Sequence, residues 1–265
     1  MSAISIEVVC ATSEREKELC YRVRYDVFVR ETGYIQKEIG SGLEADDYDR
    51  LDTTVHFLVY FNGQPAGTAR LLFPNRSVRE REGGFYGLPM ENLYDIKNYM
   101  STDLKIGEIS RSCVKERFKS TKTIFYLWKS LLEYAGERGI TDLITNVNPE
   151  TDSLADSYLV HRYARSMRLF DPDITVYPKK TGGKTSDFRF PLERKSAGGS
   201  GEEFDIEFPQ TLKLFTRVGA LFTGEPIYCN GIDMCALPMN WKLKDICKSA
   251  FGKFFQKKDA AEKAA

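Results

Sequence analysis

Thr54-Val-His-Phe-Leu-Val-Tyr-Phe61 runs into Asn62-Gly63, and Pro65 to Phe73 follows. β-branched and aromatic residues favour extended backbone, and Asn-Gly takes the positive φ angles of a two-residue hairpin turn. The segment therefore predicts an antiparallel hairpin, and the rest of the chain has to be arranged around a sheet. Further strands are predicted at Ile4–Cys10, Lys105–Val114 and Asp142–Val147. A helix is predicted over Glu14–Val29, with Ser13 as N-cap, and another over Thr121–Arg138. In the second, Ile124, Leu127, Leu131, Leu132 and Ala135 recur at helical spacing, and Gly139 ends it. Gly33 to Asp52 reads as an acidic loop, and Arg76 to Glu82 as a charged, mobile excursion.

Beyond Asp152 the pattern is less regular. Ser153–Leu169 is predicted helical, and Asp171–Pro191 holds two short extended runs around Thr181-Gly-Gly-Lys184. Ser196–Gly201 reads as a flexible loop, Pro209–Val218 as a short helix, and Gly224–Leu237 as the last two strands around Asn230-Gly231. This order predicts an α/β fold, a mixed twisted sheet flanked by helices. Residues 1–240 are expected to form one domain, with an insertion at about 150–205 before the last helix and strands.

A chain of 265 residues, 42% hydrophobic and 29% charged, suits a soluble globular protein. Lys+Arg and Asp+Glu both total 38, so no basic field exists to attract nucleic acid. The 6 cysteines form no CxxC pair, and only His56 and His161 could add imidazole ligands, which speaks against a metal site. Scattered cysteines suit reduced thiols in the cytoplasm, and Cys113 reads as a small core residue. No signal peptide and no membrane-spanning run is evident.

Charged residues interrupt these predicted elements in a set pattern. It comprises Arg24-x-x-x-Phe28, Tyr34, Glu44-x-Asp46-x-x-Asp49, Gly67-Thr-Ala-Arg70-Leu and Glu108-Ile-Ser-Arg111. Charges near a core need partners, so the pattern points to a polar site built on the sheet. Alternation along a strand puts Glu108 and Ser110 on one face and Arg111 on the other, a bulge aside. Arg70, on the preceding strand, could pair with Glu108. Asp46 and Asp49 could hold Arg24 or Arg70, or bind the ammonium of an acceptor. His56, between Val55 and Phe57, reads as a satisfied core or surface histidine.

Over residues 20 to 115 this pattern resembles the acyl-homoserine lactone synthases and the long-chain N-acyl amino acid synthases. Tyr34 stands where the lactone synthases carry tryptophan. Arg111-Ser-Cys-Val114, Leu127-Trp-Lys-Ser-Leu-Leu-Glu-Tyr134, Leu214-Phe-Thr-Arg-Val-Gly-Ala220 and Gly224-Glu-Pro226 are similar to the ornithine-lipid N-acyltransferases. These resemblances imply a GNAT fold, with which the order of elements agrees. They imply transfer of a long-chain fatty acyl group from acyl carrier protein to the amine of an amino acid or related small amine. Glu108 is then the base, or orients a water that is, with Ser110 beside it at the thioester. Arg24, Phe28, Tyr34, Asp46, Asp49, Arg70 and Arg111 bind substrate or organise the site. No serine, histidine and acid motif is evident, which favours direct attack by the amine over an acyl-enzyme. The alternatives are an ornithine-lipid or homoserine lactone type of acyltransferase, and a non-catalytic module that binds acyl carrier or membrane.

GNAT enzymes that use acetyl-CoA carry a glycine-rich loop that cradles pyrophosphate. Here the corresponding segment is Lys115-Glu-Arg-Phe-Lys-Ser-Thr-Lys122, without glycine. Lys115, Arg117, Lys119 and Lys122 suit the single phosphate of acyl-phosphopantetheine or an acidic carrier surface. The expected donor is acyl carrier protein, with acyl-CoA as the alternative and no bound cofactor. Trp241 to Lys258 places Lys242, Lys244, Lys248, Lys253, Lys257 and Lys258 against Asp245, with Leu243, Ile246, Phe251 and Phe255 on one helical face. Residues 241–265 are therefore expected to form a basic amphipathic helix and tail. The helix either packs on its own domain or makes peripheral contact at the inner face of the membrane.

Overall fold

The computed structural model describes residues 4–36, 39–101, 103–179, 185–194, 206–230 and 232–246. The chain divides into two compact units. One comprises Met1–Pro89 with Lys105–Ile140, the other Met90–Leu104 with Thr141–Ala265.

In the first unit, β1 (Ile6–Ala11), β2 (Thr54–Phe61), β3 (Gln64–Leu72) and β5 (Ile106–Val114) pair antiparallel in that order. The predicted hairpin joins β2 to β3, with φ of 47° at Asn62 and 75° at Gly63. Helix α1 (Glu14–Tyr25) starts at a capping box, in which Ser13 and Glu16 satisfy each other's backbone amides. It does not continue as an α-helix to Val29. The chain widens at Asp26–Glu31 into a π-helix, a form frequent at functional sites. Cys20, Val23 and Val27 pack with Leu58 and Cys113 in the core. Burial pushes the Cys113 thiol up to about 12, so it is inert and structural, as expected.

Helix α2 (Arg76–Glu82) replaces the expected mobile excursion. Asn75 caps it by accepting from the Val78 amide at 3.0 Å, and Val78 is its buried anchor. Gly87, at φ +73°, lies so close that a Cβ there would sit 2.2 Å from the Asn75 carbonyl oxygen. Helix α3 (Thr123–Glu137) buries Leu127, Trp128, Leu131, Leu132 and Ala135, while Ile124 is only half-buried. The Trp128 indole donates to Ser112 Oγ at 2.9 Å. Gly67 matters to the sheet because a Cβ there would approach the Cys113 carbonyl to 2.7 Å, so β3 and β5 would have to part.

In the second unit, β6 (Asp142–Val147) pairs antiparallel with β10 (Met234–Lys242), which also pairs with β8 (Leu221–Phe222) and β9 (Ile227–Cys229). A separate ribbon joins β4 (Tyr94–Asp95) to β7 (Tyr177–Pro178). Helices α4 (Leu154–Ser166), α5 (Gln210–Arg217) and α6 (Leu243–Ile246) complete the unit. β7 is the strand found within Asp171–Pro191, while Thr181–Lys184 and Ser196–Gly201 lie outside the described residues.

The last strand does not end at Leu237 but runs on to Lys242, so Trp241 and Lys242 belong to the sheet and not to a basic helix. Trp241 is fully buried and donates to the Val218 carbonyl at 2.8 Å. Lys242 holds Asp171 at 3.0 Å and Asp173 at 2.9 Å. The helix starts at Leu243, and residues 247–265 lie outside the described residues. Among the described residues, no helix is long and apolar enough to cross a membrane.

Candidate functional site

The charged pattern converges within the first unit. Arg70 on β3 stands opposite His56 on β2 and opposite Ser110 on β5. The end of α1 supplies Arg24, and the acidic loop supplies Glu44, Asp46 and Asp49. That loop is held by its own backbone. Asp46 accepts from the Tyr48 amide at 3.0 Å, and Asp49 Oδ2 accepts from the Asp46 amide at 2.8 Å. The two aspartates thus cap a short 3-10 turn, Asp47–Arg50, before any arginine is counted.

The arginines then join the loop to the sheet. Asp49 Oδ1 takes Arg24 Nη1 and Arg70 Nη1, each at 2.8 Å. Arg70 clasps both oxygens of Asp46, at 2.5 and 3.1 Å, and its Nε donates to Ser110 Oγ at 2.9 Å. Arg111 donates from Nε to Glu44 at 2.9 Å and from Nη2 to Asp46 at 3.1 Å. Arg24, Arg70, Glu44 and Asp49 are buried. Three guanidinium groups meet three carboxylates, so the cluster is neutral overall and its fork-shaped donors match planar acceptors. Burial alone would push the Asp49 carboxyl up. Arg24 and Arg70 outweigh it and hold the group at about 2.

Two expectations change here. Arg70 turns to the acidic loop and Ser110, while Glu108 lies opposite Leu72, so the anticipated Arg70–Glu108 pair does not form. Arg111 does not face away from Ser110 either. The pairs Thr68–Cys113 and Arg70–Ser110 leave Arg111 and Ser112 facing Ala69, a β-bulge, with Arg111 at φ +53°. The extra residue breaks the alternation and brings Arg111 to Asp46, the same carboxylate that Arg70 clasps. Glu108 and Ser110 do share a face, as alternation predicts, because the strand is regular up to Ser110. Glu108 is buried.

His56 is a buried, satisfied histidine, as expected, and its partners belong to the cluster. Its Nδ1 lies 3.0 Å from Arg24 Nη2 and its Nε2 lies 3.3 Å from the Asp49 carbonyl. Arg24 can only donate, so Nδ1 accepts and the proton sits on Nε2. Burial, then the Arg24 charge, pull the imidazole down to about 4. A folded value below the ordinary 6.5 means that the unfolded chain takes the proton first. Stability from this group is whole above pH 6.5 and falls as the pH drops toward 4, by on the order of 3 kcal/mol. Urea unfolding followed from pH 7 to 4 is expected to show that slope, and His56→Gln to flatten it. An unchanged slope in the variant would assign the proton uptake elsewhere. Glu44, too, takes a defined place, anchoring Arg111. Its position two residues before Asp46 was the available signal.

Phe28 rides on the π-helix and packs against the Cys20–Val27 cluster, and Tyr34 is half-buried beyond it. Three of the four basic residues of the β5–α3 turn have partners of their own. Lys115 is bound to Asp26 at 2.7 Å, Lys119 pairs with Glu116, Arg117 lies over the Phe118 ring at 4.6 Å, and Lys122 directly precedes α3. Among the described residues, no group of His, Cys, Asp and Glu is placed to hold a metal ion.

Residues 19–171, more than half of the chain, match the family described as N-acyl amino acid synthase FeeM. The chain belongs to that family. The matched stretch contains every residue of the cluster, from Arg24 to Arg111, and the β5–α3 turn. The L-ornithine N(alpha)-acyltransferase of Rhizobium meliloti is 31% identical over 203 residues, covering 66% of this chain and 67% of that protein. The enzyme of the same description from Brucella abortus is 32% identical over 146 residues, 51% of this chain. The chain spans only half the length of the Brucella relative, the coverage being 50%. Among solved structures, FeeM from uncultured soil microbes has a TM-score of 0.57 at 10% identity, covering 95% of this chain and 99% of that one. The CoA-dependent acyl-homoserine lactone synthase BjaI, solved with SAM and isopentyl-CoA, scores 0.50 at 14% identity, over 94% of this chain and 90% of that one. These likenesses agree with the expected mixed α/β acyltransferase fold.

Proposed function

We propose that the chain transfers a long-chain acyl group from acyl carrier protein to the amine of an amino acid or related small amine. The observation that carries this reading is the neutral arginine–carboxylate cluster in a FeeM family member, with Glu108 and Ser110 presented on the same face of β5. The acceptor arrives as an ammonium and must lose a proton before it can attack. The Glu108 carboxylate, or a water it orients, takes that proton. The nitrogen lone pair then adds to the thioester carbonyl carbon, and the C=O electrons move to oxygen. Ser110 Oγ accepts from Arg70, which leaves its hydroxyl proton to donate to that oxyanion. As the carbonyl re-forms, the C–S bond breaks. The attached nitrogen sheds its second proton, the pantetheine thiolate leaves and takes up that proton, and the amide is released without an acyl-enzyme. Asp46, Asp49 and Glu44 act through the arginines by fixing β5 beneath the loop.

The fold does not choose the donor, since BjaI is described as CoA-dependent. The glycine-free β5–α3 turn favours a carrier-bound donor. The two ornithine acyltransferases favour ornithine as the first acceptor to test. Purified protein should be given acyl carrier protein loaded with a C16 acyl chain and a panel of amino acids that includes ornithine. Formation of an N-acyl amino acid, read by mass spectrometry, is the expected result. Absence of thioester turnover with every amine, from both carrier protein and CoA, would favour a non-catalytic binding module.

A further inference from the structure

Several backbone amides of the turn between β5 and α3 are already engaged within the chain. The backbone amides of Lys115, Phe118, Lys119, Thr121 and Thr123 bond to Ala66 O, Lys115 O, Glu116 O, Phe118 O and Thr121 Oγ1, at 2.9 to 3.2 Å. The amide of Glu116 donates to the Glu31 carboxylate at 2.9 Å. The Lys115 ammonium is bound to the Asp26 carboxylate at 2.7 Å. Asp26 and Glu31 are the first and last residues of the π-helix. A cation and a backbone amide are the two groups with which proteins hold phosphate. At the head of this turn both already carry a carboxylate from the same element.

We propose that Asp26 and Glu31 select the donor, by occupying the cation and the amide at the head of the β5–α3 turn and so disfavouring donors that bring several phosphates there. CoA brings a pyrophosphate and a 3′-phosphate, whereas carrier-bound pantetheine brings one phosphodiester with a single charge. Two fixed carboxylates repel the former far more than the latter, and salt screens the difference. This inference rests on the carrier-protein reading of the donor.

The test compares the wild type with Glu31→Gln and with Asp26→Asn/Glu31→Gln, each checked by its melting temperature. CoA binding is measured by calorimetry at low salt, and KM for C16-acyl carrier protein is measured by turnover. The double variant is expected to bind CoA about tenfold more tightly, with the acyl carrier KM changed by less than about threefold. Glu31 is exposed, so the single variant keeps the test open if the double one folds poorly, with a gain of about threefold expected. Unchanged CoA binding in both variants would overturn the proposal, as would equal gains for CoA and acyl carrier protein. Turnover of acyl-CoA by the wild type as fast as of acyl carrier protein would instead overturn the donor reading, and this proposal with it.

Discussion

Glu108→Gln is expected to lower kcat for amide formation by about 10²-fold to 10⁴-fold, the range that a positioned proton acceptor contributes. Glutamine keeps the volume and planar shape of the side chain but cannot take up the proton. The melting temperature should therefore stay within a few degrees of the wild-type value while turnover collapses. The pH dependence separates this from a structural role. As the pH rises toward the pKa of the acceptor amine, a growing fraction arrives already neutral, and the defect should shrink. Wild-type kcat in the variant, or a defect that does not change with pH, would remove Glu108 from the role of base. The same variant should leave any weak binding of the amide product intact.

Asp49→Ala is expected to cost about 3 to 5 kcal/mol of stability, the penalty for leaving buried charge uncompensated. Asp49 Oδ1 lies between Arg24 and Arg70, so its removal leaves two guanidinium groups facing each other. It also removes the acceptor of the Asp46 amide, and the 3-10 turn loses half of its reciprocal cap. Urea unfolding at pH 7 measures the loss, and a cost below about 1 kcal/mol would mean that the cluster is less tightly coupled than its geometry implies. Acid should have a limited effect on this residue. Its folded value of about 2 lies below the ordinary 3.8, so its contribution persists at neutral pH and is lost only as the pH falls toward 2.

The sheet around the hairpin was readable because its signals are local. Asn62-Gly63 dictates the turn, and β2 occupies the predicted Thr54–Phe61. The cluster was readable as a set of residues but not as a set of pairs. Arg111 carries no local mark of a positive φ. Its bulge is held by ion pairs with Glu44 and Asp46, 67 and 65 residues away. The π-helix escaped for a related reason, since Val23 and Val27 have the spacing of an unbroken α-helix. At the other end, the lysines after Trp241 imitate an amphipathic helix. Lys242 nevertheless joins the strand opposite Asp142, and its partners, Asp171 and Asp173, lie far away in the sequence. Helix α2 was hidden by a sequence in which charges surround a single buried valine.

The 2 tryptophans of this chain fall one in each compact unit, Trp128 on α3 and Trp241 on β10. Both indoles are buried, and each donates one hydrogen bond, to Ser112 and to the Val218 carbonyl. The protein therefore carries its own pair of fluorophores. Trp241→Phe leaves emission that reports on the unit containing the arginine–carboxylate cluster, and Trp128→Phe leaves emission from the other. Ser112 is part of the bulge, so Trp128 is an optical probe bonded directly to the strand that bears Glu108.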